Sequence, residues 1–171
     1  MLMVRILVVA AAALAVTGCC KLPTSSESKE NTPVTSTAKP KAGDRIYNMD
    51  FPCDNDPTLR ISQIALTPTE TRVTVKYRNK DRQTAELSTA PPGQPETFFI
   101  EAADQTRTLE LRSATGLAIS PNKNKVPPGG TLEFTLIFPP IDETWSPIDL
   151  HEGKVVKKGL NYWNFTDIPL K

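Results

Sequence analysis

The chain has 171 residues, with 20 Lys and Arg, 19 Asp and Glu, 16 Pro, three Cys and one His. A formal net charge of +1 excludes the strongly basic surface that nucleic-acid-binding domains usually carry, so no nucleic-acid partner is expected. A single histidine, His151, excludes any metal site or catalytic set built on a histidine pair, and no cofactor is expected.

The N-terminal segment reads as an export signal. Arg5 is a short positive region, and Ile6 to Val16 is an uncharged run rich in Ala, Val and Leu. That run is too short to span a bilayer as a helix, which takes about 20 apolar residues, but it has the length of a signal core followed by small residues. Val16-Thr17-Gly18-Cys19 resembles the lipobox of bacterial lipoproteins. The resemblance implies that residues 1–18 are a signal peptide that is removed. Cys19 would then carry a thioether-linked diacylglyceryl group, with a further acyl chain such as palmitate on its new amine. Two or three chains hold a protein stably, at about 0.8 kcal/mol per buried methylene. The alternative is an ordinary secretory signal cut near Ala13 or Ala15, with Cys19 incidental. In Gram-negative lipoproteins an Asp after the acylated Cys commonly retains the protein in the inner membrane. Here that position is Cys20, so the resemblance implies a lipid-anchored protein of the cell envelope at the outer membrane, facing the periplasm or the outside.

Residues 19–43 form a lipidated linker. Thr24 to Pro33 is polar, Ser, Thr, Pro and Lys continue to Lys41, and only Leu22 and Val34 are large and apolar. Such a segment cannot bury enough to offset its ordering entropy. As a flexible coil it would reach roughly 25–30 Å. Removal of the signal takes away Arg5 and no acid, so the Lys and Arg count falls from 20 to 19 and matches the 19 acids. Cys20 in the linker and Cys53 near the start of the domain are a possible disulfide in an oxidising compartment. The bond would close a loop made mostly of linker; otherwise Cys20 stays free or pairs with another chain.

Residues 44–171 have the length of one domain with one core. Their pattern alternates. Arg45 to Phe51 is a weak first strand. Leu59 and Ile61 are apolar at odd positions, then Ile64 and Leu66 at even ones; the parity switch predicts a bulge near Ser62-Gln63 or a strand buried on both faces. From Glu70 to Arg78, Val73, Val75 and Tyr77 alternate with Arg72, Thr74 and Lys76, the period of a half-buried strand. Thr84 to Ser88 is weak, Thr97 to Glu101 stronger, and Leu109 with Leu111 marks a short strand. Thr131 to Phe138 sets Leu132, Phe134, Leu136 and Phe138 against Thr131, Glu133 and Thr135. Pro147 to Leu150 and Asn161 to Leu170 complete the set. Thr67-Pro68-Thr69, Pro91-Pro92-Gly93 and Pro127-Pro128-Gly129-Gly130 supply turns, and the prolines leave no long helical stretch.

Seven to nine short strands at this spacing predict an all-β fold, an antiparallel β-sandwich, with an open barrel as the alternative. Val126 to Phe138, a Pro-Gly turn feeding an alternating strand, resembles the penultimate strand of immunoglobulin-like domains in exported bacterial proteins. Ile148-Asp149-Leu150 and Trp163-Asn164-Phe165 extend that resemblance. It implies an immunoglobulin-like sandwich and no activity, and the Cys–Trp–Cys spacing of antibody domains does not occur.

Chemistry-bearing patterns are sparse. Asp149 and Glu152 flank His151, but neighbouring positions of a strand point to opposite faces, so His151 reads as a surface or hydrogen-bonding residue. No paired Cys-x-x-Cys, Gly-x-Ser-x-Gly or phosphate-binding Gly loop occurs. Asp54-Asn55-Asp56 has the alternating oxygens of a calcium loop without its Gly and Glu, and reads as an exposed turn. Lys154, Lys157 and Lys158 read as a solvated loop. Asn164-Phe165-Thr166 fits a glycosylation sequon, which in a bacterial lipoprotein is chance. Trp145, Tyr162, Trp163 and Phe165 gather near the C-terminus. Trp163 and Phe165 would share one face of a strand and Tyr162 the other, so Trp145, Tyr162 and Trp163 are the possible binding aromatics. The expected function is non-catalytic: a membrane-anchored lipoprotein that touches lipid through Cys19 and holds an envelope protein partner or assembly at the membrane face. The alternative is a glycan or small-ligand binding module.

Overall fold

The computed structural model describes residues 43–141, 143–154 and 162–171, all within the unit Ala38–Lys171. The signal segment, Cys19, Cys20, nearly all of the linker, Lys157 and Lys158 lie outside the described residues. No α-helix occurs among the described residues, and none of their helices is long and apolar enough to cross a membrane.

Among the described residues, three sheets are built from eleven strands: β1 Arg45–Pro52, β2 Leu59–Leu66, β3 Thr71–Arg78, β4 Ala85–Leu87, β5 Phe98–Ala102, β6 Thr108–Glu110, β7 Ser113–Thr115, β8 Asn124–Val126, β9 Thr131–Phe138, β10 Ile148–Glu152 and β11 Asn164–Ile168. The five-stranded sheet runs β1-β2-β3-β9-β7 and the four-stranded sheet β11-β10-β5-β6, with β4 and β8 as a separate pair. Every pairing between these strands is antiparallel. This is the expected all-β sandwich. The strand count exceeds seven to nine because β7 and β8 are three residues each, too short to show alternation.

Alternation became burial. In β3, Thr71, Val73, Val75 and Tyr77 are buried, while Arg72, Lys76 and Arg78 are exposed. The parity switch in β2 is a bulge: Ile61 pairs with Val75 but Gln63 with Thr74, which leaves Ser62 as the extra residue. One extra residue turns the strand over, so Leu59 and Ile61 before it and Ile64 and Leu66 after it all enter the core.

The sheets join at one edge through the chain itself. Leu111 N bonds to Phe98 O of the four-stranded sheet, and the next amide, Arg112 N, bonds to Ile137 O of the five-stranded sheet. The segment β6–β7 thus changes sheets over two residues. Gly116 follows with φ +82°, and a Cβ there would meet Glu133 O at 2.7 Å, closer than van der Waals contact allows.

The core lies between the sheets and centres on Trp163. Its ring stacks at 6.2 Å from Phe98 of β5 and at 6.4 Å from Phe134 of β9, with interplanar angles of 29° and 27°. One indole therefore touches both sheets, and Trp163 is only 8% exposed. β11 begins at Asn164, so Tyr162 and Trp163 precede the strand and escape its alternation. Tyr162 is buried as well, with its ring 2.6 Å from where a Cβ on Gly153 would stand. Trp163→Ala is expected to destabilise the domain by about 3–5 kcal/mol in urea denaturation, with Trp163→Phe losing less. A loss below about 1 kcal/mol for the alanine variant would contradict this role.

Candidate functional site

A polar seam joins the other edge of the sandwich. Past β1 the chain turns through Cys53-Asp54-Asn55-Asp56 and clasps β11. Asp54 N donates to Asn164 O at 2.8 Å, and Asn164 N donates to Asn55 Oδ1 at 3.2 Å. Asn55 Nδ2 donates to Tyr162 O, and Thr166 Oγ1 donates to Asp54 Oδ2 at 3.1 Å. Asp56 instead accepts from the Thr58 amide at 2.9 Å. The three oxygens that mimic a calcium loop therefore serve three different neighbours. The segment is a turn, as the sequence suggests, and among the described residues no cluster of three His, Cys, Asp or Glu could hold a metal ion.

Cys53 sits inside this seam as a free thiol, 6% exposed. Its Sγ lies 3.1 Å from Asn55 Oδ1 and 3.2 Å from Asn164 O, both acceptors. Burial pushes the thiol pKa up, outweighing hydrogen bonding from the backbone amides of Asn55 and Asn164, which lowers it. The thiol stays protonated at neutral pH, the opposite of what a nucleophilic cysteine needs.

His151 stands on the outer face of the four-stranded sheet, between Asn164 of β11 and Phe99 of β5. Nδ1 lies 2.9 Å from Asn164 Oδ1, and with the amide in this orientation Nδ1 carries the proton. Its ring tilts against Phe99 at 5.3 Å, and Nε2 is 3.9 Å from Asp149 Oδ2. Asp149 also accepts from the Asp167 amide at 2.7 Å. The His151–Asn164 and Asp167–Asp149 bonds tie β10 to β11.

Glu152 is a residue the sequence reading placed only as a neighbour of His151. It continues the inward parity of Ile148 and Leu150 and ends 8% exposed. Strand parity, extended two residues, is the signal that finds it. Burial pushes its carboxyl up to about 7, opposed by hydrogen bonding from the Trp163 amide, at 3.4 Å, and by the Thr89 hydroxyl. The Thr89 contact falls short of normal hydrogen-bond geometry, and Thr89 Oγ1 is a buried side-chain oxygen without a partner among the described residues.

The aromatic candidates are accounted for by packing. Trp163 is the inter-sheet wedge. Tyr162 is buried beside Gly153. Trp145, in the 3₁₀ turn Glu143–Trp145, is half-buried against the core, with the Arg107 guanidinium 4.4 Å above its ring.

A cleft of about 560 Å³ lies on the outer face of the five-stranded sheet. Asp50, Arg60, Lys76, Arg78, Lys80 and Glu133 line it. Strand register builds the row. Arg60 of β2 stands directly across from Lys76 of β3, and Lys76 across from Glu133 of β9. Arg60 is bonded to the Asp50 carboxylate and to Asp50 O at 2.8 Å, and Lys76 Nζ lies 3.2 Å from Glu133. The strand patterns put Lys76 and Glu133 on wet faces but leave the row itself hidden, because cross-strand register is not written in one strand's pattern.

No protein-family model, curated protein or solved structure matches the chain.

Glu152 links stability to pH. Its folded pKa of about 7 lies above the ordinary 4.5 of the unfolded chain. Below 4.5 both states hold the proton. Between 4.5 and about 7 the unfolded chain releases it and the fold keeps it, so stability is lost as pH rises across that window. Glu152→Gln should therefore gain on the wild type between pH 5 and pH 8, by up to about 3 kcal/mol, in paired denaturant titrations. A gap between the two proteins that stays constant with pH would remove this assignment.

Proposed function

We propose that this chain is a lipid-anchored, non-catalytic β-sandwich that holds a partner protein or an envelope assembly at a membrane face. The lipobox-like Val16-Thr17-Gly18-Cys19 and the polar linker behind it carry the reading. Cys19 bears the acyl chains, residues 19–43 give the domain reach, and the outer membrane is its place. The sandwich is immunoglobulin-like in the run from the Pro127-Pro128 turn through β9, β10 and β11.

Two features of the domain support a role without chemistry of its own. The thiol of Cys53 is buried and held protonated, and the imidazole of His151 is pinned between Asn164 and Phe99. Both side chains that could have led a reaction instead fasten β11 to its neighbours. What the domain offers outward is surface, on a tether that keeps it near the lipid.

The experiment is fractionation followed by crosslinking in the native host. Wild-type protein should pellet with membranes and crosslink to one envelope protein in stoichiometric yield. Cys19→Ala should lose the membrane fraction, and the crosslink should fall with it. Cys19→Ala protein that still pellets, in carbonate wash, would overturn the anchor. Retention on polysaccharide with no protein crosslink would overturn the partner and favour the glycan module.

A further inference from the structure

The geometry points to the cleft of the five-stranded sheet as a binding site for an organic phosphate ester. This inference stands on the cleft and does not depend on the lipid anchor.

The charge arrangement is unusual for a sheet face. Across the neighbouring strands β1, β2, β3 and β9 the side chains run Asp50, Arg60, Lys76, Glu133, with two cations at the centre and an acid at each rim. Like charges directly opposite each other on paired strands are destabilising, and Arg60 and Lys76 occupy such a pair. Asp50 and Glu133 relieve them from outside. Arg78 then adds a third cation two residues along β3, on the same face as Lys76, and Lys80 a fourth. Lys80 Nζ donates to Pro57 O at 3.3 Å, a neutral acceptor, and the Arg78 guanidinium has no partner among the described residues. Among the residues that line the cleft four cations face two carboxylates; Asp56 and Asp81 stand near its Tyr77 end, outside the lining, so the surplus of two positive charges is local to the row.

A phosphate monoester matches that surplus. At neutral pH it carries nearly two negative charges and three acceptor oxygens, which can be shared among several cations at once. A single carboxylate would leave a charge unbalanced. The carboxylates at the rims narrow the approach, which suits one discrete anionic group and repels a flat anionic surface. The side chains of Tyr77 and Leu132 turn to the core, but Pro57 and the aliphatic stems of Arg60, Lys76 and Lys80 give the cleft apolar walls. A bare ion makes no use of them; the carbon skeleton of an ester does. Its volume of about 560 Å³ falls within the range of small-molecule sites.

Such an ester could be soluble or could head a lipid, and the test separates the two. Intact protein extracted in a neutral detergent is titrated calorimetrically with glycerol 3-phosphate and with dihexanoyl phosphatidic acid. Saturable binding is expected for glycerol 3-phosphate. Lys76→Gln and Arg78→Gln should each weaken it about fivefold, since each removes one exposed charge-assisted contact. Lys125→Gln, an exposed change on β8 outside the cleft, should leave it unchanged. Equal affinity for the two ligands assigns a soluble ester, and tighter binding of the phosphatidic acid assigns a lipid headgroup. Heats that sodium chloride of equal ionic strength reproduces, or an equal loss in Lys125→Gln, would overturn the site. So would inorganic phosphate binding as tightly as its ester, since the apolar walls would then play no part.

Discussion

The ring of Trp163, lying between Phe98 and Phe134, is the contact on which the sandwich depends. Phe98 belongs to one sheet and Phe134 to the other, so a single side chain fixes their separation. Sheets packed face to face stand about 10 Å apart, and an indole set between a ring from each sheet spans much of that gap. The two edges then close around it. At one edge the β6–β7 segment passes from sheet to sheet. At the other, Cys53, Asp54 and Asn55 bind the start of β11, directly after Trp163. The amide of Trp163 reaches the Glu152 carboxyl, and the Glu152 amide reaches the carbonyl of Trp163. The wedge, the seam and the buried acid are therefore one unit.

This explains what became of the reactive side chains. In the seam, the exposed Asn55 and the half-buried Asn164 supply acceptors to the buried thiol of Cys53. A buried donor without a partner costs about 1–3 kcal/mol, so these residues are needed where they are. The same logic holds for His151, whose Nδ1 donates to Asn164 Oδ1. Glu152 is the exception. Its carboxyl has weak partners, and it stays buried by keeping its proton to higher pH.

Much of the fold was legible because the core side chains alternate. Val73, Val75 and Tyr77, and likewise Phe134, Leu136 and Phe138, predicted β3 and β9 almost residue for residue. The bulge at Ser62 was visible as a change of parity. The three-residue strands β7 and β8 were not, because their place is set by pairing partners rather than by their own pattern. Tyr162 was expected opposite Trp163, but the strand begins two residues after it. The cleft was illegible for a different reason: Arg60, Lys76 and Glu133 lie far apart in sequence, and only the pairing register brings them into one row.

Fold, seam and cleft together describe a slightly acidic body, with 15 Lys and Arg against 17 Asp and Glu in residues 44–171, whose cleft gathers a small patch of charge. The proposed anchor gives that body its address, so the account rests most heavily on the state of residue 19. Mass spectrometry of the N-terminal peptide from membrane-extracted protein tests it directly. The account predicts a mature chain that begins at Cys19 and carries the added mass of a diacylglyceryl group. A mature chain that begins elsewhere with an unmodified amine, or that keeps residues 1–18, would contradict it.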